Sequence, residues 1–337
     1  MWWLKLKEYL HGKFSTGVGI AAAILLIIVA LMIYWSLEPD VFDVKEVATR
    51  YAGGDERKLV TGYVTTSTLV ETIDTLLDKP GGYLRNDVMP PGLFMDNMPG
   101  WEYGVLVQSR DLALSLRNDM SRSQTQSTED RDLADASNRL NIKTQAWMFP
   151  SAEGQYRDGR DFLENYLKRL ADPDEMDGQF YARADNLRDW LALVEKRLGD
   201  LSQRLSASVG QERVNVDLRG DTAATYSTAR PSEMMVKTPW LEIDDVFYEA
   251  RGSCWALLHF LRAAEIDFAS VLAKKNAQVG LRQSIRELEG TQDTMWSPMI
   301  LNGSGFGFVA NHSLVMANYI SRANAALIDL RRLLEQG

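Results

Sequence analysis

The chain has a single cysteine, Cys254, so no intramolecular disulfide can staple it and its stability must come from packing. Histidine is almost as scarce. Only His11, His259 and His312 occur, and with no HExxH and no paired CxxC the sequence offers no ready-made metal ligand set. Cys254 and His259 stand five apart, an offset of about 500° on a helix, and do not share a face. No GxSxG or SxxK is present, which disfavours hydrolases carrying those signatures. Positive charge is short as well: 37 Lys and Arg face 46 Asp and Glu, for a formal charge of -9. That balance disfavours nucleic acid, whose phosphates require clustered Lys and Arg. No cofactor-binding pattern stands out, and no 20-to-50-residue repeat is visible.

What is present is one long apolar run, VGIAAAILLIIVALMIYWSL, opening at Val18 and closing at Leu37. As a helix it spans roughly 30 Å, the thickness of a hydrocarbon core. Lys5, Lys7 and Lys13 precede it and Glu38, Asp40 and Asp43 follow, so the positive-inside rule places residues 1–17 in the cytoplasm and the remainder outside. Tyr34 and Trp35 at its end suit the bilayer interface. A cleaved signal peptide has a shorter apolar core and a small-x-small site, both missing here. The expectation is a single-pass anchor over 18–37 that contacts lipid, then a stalk over 38–60 punctuated by Gly53-Gly54, then a folded domain over 61–337.

That domain reads as mainly α. Leu69, Ile73 and Leu76 mark a helix over 65–79. Residues 79–102 hold four prolines and four glycines and read as an ordered loop. An apolar face through Leu106, Ala113, Leu116 and Met120 gives way to RSQTQSTEDRD and resumes at Leu133, Ala136 and Leu140. Phe180, Ala184, Leu187, Leu191, Val194, Leu198, Leu201 and Leu205 form a heptad seam that needs a partner, either the helix containing 162–170 or another subunit. Val214, Val216 and Leu218 alternate, and 234–240 supplies a second short extended segment, so at most a small antiparallel β element is expected. Arg219-Gly220-Asp221 reads as a turn. A long core helix is expected from Asp244 through Leu272, and a last helix over 312–334.

Two places are candidates for function. Arg122, Ser123, Gln124 and Gln126 form a hydrogen-bonding patch for a partner, although a solvated break between helices has the same composition. Trp101, Glu102, Asn311 and His312 are candidate cleft residues. Glu102, with Glu71 and Asp111, has the chemistry of a general acid if an apolar cleft raises its pKa. The stretch LNGSGFGFVANHSLVMANY, residues 301–319, meets neither the P-loop nor the dinucleotide context. Instead Asn311 has the chemistry of an N-cap, with the glycines turning the backbone and Phe306 and Phe308 anchoring it.

The strings KPGGYLRNDVMPPG, DNMPGWEYGVL, RSQTQS and GSGFGFVANHSLVMANYISRANAALIDLR resemble the proteobacterial family catalogued as domain of unknown function 2333. The resemblance covers nearly everything after the anchor. It implies an inner-membrane-anchored envelope protein and carries over no catalytic residue. The combined expectation is an interaction or scaffolding protein whose helical-bundle domain lies in the periplasm and meets an envelope protein or a second copy of itself. The alternatives are a carboxylate-dependent peptidoglycan hydrolase or lyase and a ligand-sensing ectodomain.

Overall fold

A computed structural model describes residues 2–123, 128–173, 177–214, 233–297 and 299–336, without the side chains of residues 2–15, 213 and 214. Gln124, Gln126, Val216, Leu218 and the Arg219-Gly220-Asp221 triplet lie outside the described residues. The fold is mainly helical, and its one sheet among the described residues is the antiparallel pair β1 (Gln211–Val214) and β2 (Glu233–Val236).

Helix α1 runs Trp2–Trp35, and its Thr16–Trp35 portion, 20 residues long, is apolar enough to cross a membrane and is not buried by the body. The segment expected as a stalk carries α2 (Val44–Tyr51), capped by the Asp43 carboxylate, which accepts from the N–H groups of Lys45 and Glu46. Val44, Val47 and Ala48 of α2 are buried, so this part of the segment packs into the body instead of spacing it from α1, while Gly53, Gly54 and Glu56–Lys58 stay exposed.

Helix α3 (Tyr63–Asp78) is followed by a loop, and then by α4 (Asn97–Ser115), which ends in a π turn over Leu116–Met120. The loop expected to reach residue 102 therefore stops at 96. Pro99 is tolerated in the first turn of a helix, where its missing N–H has no intrahelical partner. Next come α5 (Arg131–Leu140), α6 (Ala152–Leu170) and α7 (Ala184–Ser206). Helix α8 (Ile243–Asp267) stops at Phe268 and yields to the short α9 (Ala269–Lys274), so the expected run to Leu272 is two helices. Helices α10 (Gln278–Gly290) and α11 (His312–Glu335) complete the chain.

Helix α8 is the axis of the body. Phe247, Ala250, Cys254, Trp255, Leu258 and Leu261 are all buried, as expected of a helix covered all round. Helix α4 lies along it so closely that a Cβ on Gly104 would stand 2.0 Å from the Glu249 carbonyl oxygen, and one on Gly252 would stand 2.0 Å from that of Trp101. Only glycine permits backbones this near.

The heptad seam of α7 is buried at Leu187, Leu191, Val194, Leu198, Leu201 and Leu205. Its principal partner within the chain is α11, with α4 and α8 beside it, and not α6. Ser202 and Ser321 share a hydrogen bond of 2.6 Å, and Arg331 of α11 ion-pairs with Glu195. Phe180, expected to head the seam, lies before α7 and packs edge-on against Phe268.

Candidate functional site

The two sets of candidate residues are placed differently. Arg122 and Ser123 sit just past the π turn that ends α4. Arg122 lies 4.0 Å from Glu129, and the Ser123 carbonyl accepts from Arg183 at 2.7 Å, so both are tied into the junction between helices.

Trp101 and Glu102 lie on α4, both sealed from solvent. Trp101 packs on Trp255 with ring centroids 5.2 Å apart. Burial holds the Glu102 carboxyl above the ordinary carboxylate range, against the opposing pull of Lys79. A catalytic acid also needs access, and Glu102 has none. Its oxygens are taken by Lys79 Nζ at 2.6 Å and by the N–H groups of Leu84 and Arg85, each at 2.8 Å. The pair fastens the start of the 79–96 loop to α4.

Asn311 and His312 open α11. The Asn311 Oδ1 accepts from Leu314 N–H at 2.8 Å, while its Nδ2 donates to Asn302 Oδ1 and to the Gly303 carbonyl. His312 Nδ1 accepts from Leu301 N–H at 3.1 Å, and the backbone bridges back at Asn302 and Asn311. The Gly-rich stretch is thus a turn folded onto the helix cap, and Gly305 adopts φ 83°, the left-handed region. Phe306 and Phe308 do not anchor it, because both side chains are fully exposed. Asn311→Ala should lower stability by about 0.5–2 kcal/mol, the range for losing a cap. Gly305→Val should also destabilise, since a β-branched residue tolerates positive φ poorly. Thermal melts of the two variants check this, and unchanged melts would remove the architectural role.

Of the four residues, His312 borders a cleft of about 560 Å³ between α8, α10 and α11. Phe247, Met295, Trp296, Val315, Met316 and Tyr319 make its walls apolar. Arg251 also lines it, but its guanidinium is spent on Glu38 at 2.5 Å and on the carbonyls of Thr291, Gln292 and Asp293. The cleft therefore suits an apolar group, with Asp293, Thr294, Ser297 and His312 as further polar residues along its lining.

The sequence reading missed the contacts at the root of α1. Trp35 lies against Gly81, with ring atoms 2.7 Å from where a Cβ would sit. Glu38 holds Arg251, and the Asp40 carbonyl accepts from Trp255 Nε1 at 3.3 Å. Phe42 stacks on His259 at 3.8 Å, and its N–H donates to His259 Nε2 at 3.0 Å. The other ring nitrogen faces the Trp255 carbonyl at 2.7 Å, and burial lowers the imidazole pKa to about 3. His259 is thus a neutral peg between the chain leaving α1 and α8. An arginine set within the apolar run of α8 was the one available signal.

Among the described residues no group of three or more His, Cys, Asp or Glu is placed to hold a metal. Residues 8–337 match the family DUF2333, described as an uncharacterized protein conserved in bacteria, and the chain belongs to that family. No curated protein and no solved structure matches it.

Proposed function

For this member of an uncharacterised bacterial family we propose a non-catalytic interaction role: a single-pass protein of the bacterial inner membrane, N-terminus in the cytoplasm, whose periplasmic bundle holds an envelope protein at a fixed place above the bilayer. The observation that carries this reading is the absence of slack between α1 and the body. Trp35, Glu38, Asp40 and Phe42 are each bonded or packed to α8 or to the loop after α3. A scaffold needs its docking surface at a set height and orientation, and these contacts supply both. An enzyme reaching into the wall needs reach, and Glu102, the candidate acid named from the sequence, is enclosed.

The test is covalent crosslinking in native membranes, followed by capture through a tag after Gly337. A flexible Gly-Ser linker inserted between Leu37 and Glu38 leaves the Glu38–Arg251 and Phe42–His259 contacts in place while freeing the body from α1. Crosslinked partner should fall several-fold in the linker variant. Equal capture by both chains would overturn the fixed-scaffold reading. A reporter active only in the periplasm should work after Gly337, and a cytoplasm-only reporter working there would overturn the orientation.

A further inference from the structure

The helix contacts show which loops share an end. Gly62, just before α3, and Thr65 in its first turn donate backbone N–H bonds to Asp267, so α3 begins where α8 ends and runs antiparallel to it. Gly100 faces Asp245 and Gly104 faces Glu249, so α4 runs parallel to α8. Asp78 pairs with Arg157, placing the start of α6 beside the end of α3. Arg204 pairs with Glu249, placing the end of α7 beside the start of α8. Ser202–Ser321 and Arg322–Glu287 set α11 antiparallel to both α7 and α10. The loops 79–96 and 141–151, and the described residues 207–214, 233–242, 291–297 and 299–311, therefore gather at one end of the bundle. Trp35, against Gly81, shows that α1 leaves from that same end.

The two ends differ in chemistry. At the α1 end Phe149, Phe306 and Phe308 are fully exposed, Trp296 is 93% exposed, Trp240 76% and Phe94 60%. At the opposite end, in the loops 52–62, 121–130, 171–183 and 268–277 and the helix turns beside them, Val60, Ile266 and Val279 are the exposed large apolar residues among those described, and none is aromatic. Isolated surface apolar residues need no explanation, but aromatic residues from four loops at the root of one helix do.

We propose that these loop tips bed into the surface of the bilayer that α1 crosses, so that the body sits on the membrane instead of standing off it. The inference rests on the reading of α1 as a membrane span. Continuity with α1 selects lipid as the occupant: a helix that emerges at Trp35 brings the headgroup layer to this end of the body. Trp and Phe are also the side chains that favour that layer. Separate loop tips suit a deformable surface better than a rigid protein groove. At the same end Asp87, Asp96, Glu233, Glu242, Asp244, Asp245 and Asp293 outnumber Arg85, Lys143 and Lys237, which favours an apolar attachment over an attraction to anionic lipid.

The test uses the full chain in vesicles of phosphatidylethanolamine and phosphatidylglycerol, labelled with an environment-sensitive fluorophore at one introduced cysteine. Cys254 is fully buried and stays unlabelled in the folded protein. Phe149→Cys and Phe306→Cys probe the α1 end, Glu56→Cys the opposite end, and Ile27→Cys the middle of the apolar run 18–37. Labels at 149 and 306 should be quenched several-fold more by a shallow nitroxide lipid than the label at 56, equally at low and high salt. The label at 56 should instead respond to aqueous iodide. If the labels at 149 and 306 respond to iodide as the label at 56 does, the proposal fails. If they are shielded from both quenchers, a protein partner or second copy covers them, and it fails again. A deep nitroxide lipid quenching the label at 27 shows in each case that the span itself stands. Its failure to quench would overturn the span and the seating together.

Discussion

Lys79→Met should lower stability by about 3–5 kcal/mol, the usual loss when one partner of a buried ion pair is removed. The Lys79 side chain is 1% exposed and that of Glu102 0%, so no water reaches the carboxylate left behind. The N–H groups of Leu84 and Arg85 remain as donors and keep the loss within that range. The penalty carries a pH signature. Burial already holds the Glu102 carboxyl above its ordinary value, and removing the ammonium raises it further. A carboxyl whose folded pKa is raised binds its proton more tightly in the native state, so stability falls as pH rises from the unfolded value of about 4.3 through the folded value. The gap between Lys79→Met and the parent should therefore be widest near neutral pH and close on acidification. The double variant Lys79→Met with Glu102→Gln, neutral on both sides, should recover most of the loss. Melts of the detergent-solubilised full chain across pH check this, and a pH-independent gap would show that lost lysine packing was the cause.

His259 titrates in the opposite sense. Its folded pKa, lowered to about 3, lies below the unfolded value of about 6.5. Its contribution is intact above the unfolded value and is lost as pH falls toward the folded one. Acid thus relieves Glu102 while working against the peg that holds Phe42.

What the sequence made legible follows from what a pattern can encode. The period of Leu187, Leu191, Val194 and Leu198 identifies the buried face of α7 but does not name the helix that covers it, because any apolar ridge satisfies it. Asn311 was readable as a cap because capping is local chemistry, settled within three residues by Leu314 N–H. The join between α1 and the body was not readable. Trp35, Glu38 and Phe42 have no period, their partners Gly81, Arg251 and His259 are distant in sequence, and Gly53-Gly54 nearby suggested a loose linker. Phe306 and Phe308 misled in a different way, since apolar character favours burial without requiring it. The candidate cleft residues divided for the same reason as the stalk. Trp101 and Glu102 are fixed by α8 and by Lys79, and His312 by Leu301, so no local rule could show that the four do not share a cavity.

Leu198→Asp should lower stability by about 4 kcal/mol or more, combining about 1.5–3 kcal/mol of lost burial with the cost of placing a charge among apolar groups. Leu198 is 0% exposed at the middle of α7, flanked by Val194 and Leu201 on the face that α11 covers. The Arg331–Glu195 and Ser202–Ser321 contacts lie on either side along the two helices, so the carboxylate cannot reach water by a small shift. Leu191→Asp should behave alike, since Leu191 is equally buried. The same experiment separates an internal seam from a subunit interface. With α11 as the partner in the same chain, the parent's melting temperature should not depend on protein concentration, and Leu198→Asp should unfold the body. At a subunit interface the variant would remain folded as a monomer with a nearly unchanged melt. That outcome would mean α11 does not cover the seam in solution and would make the heptad face an oligomerisation surface.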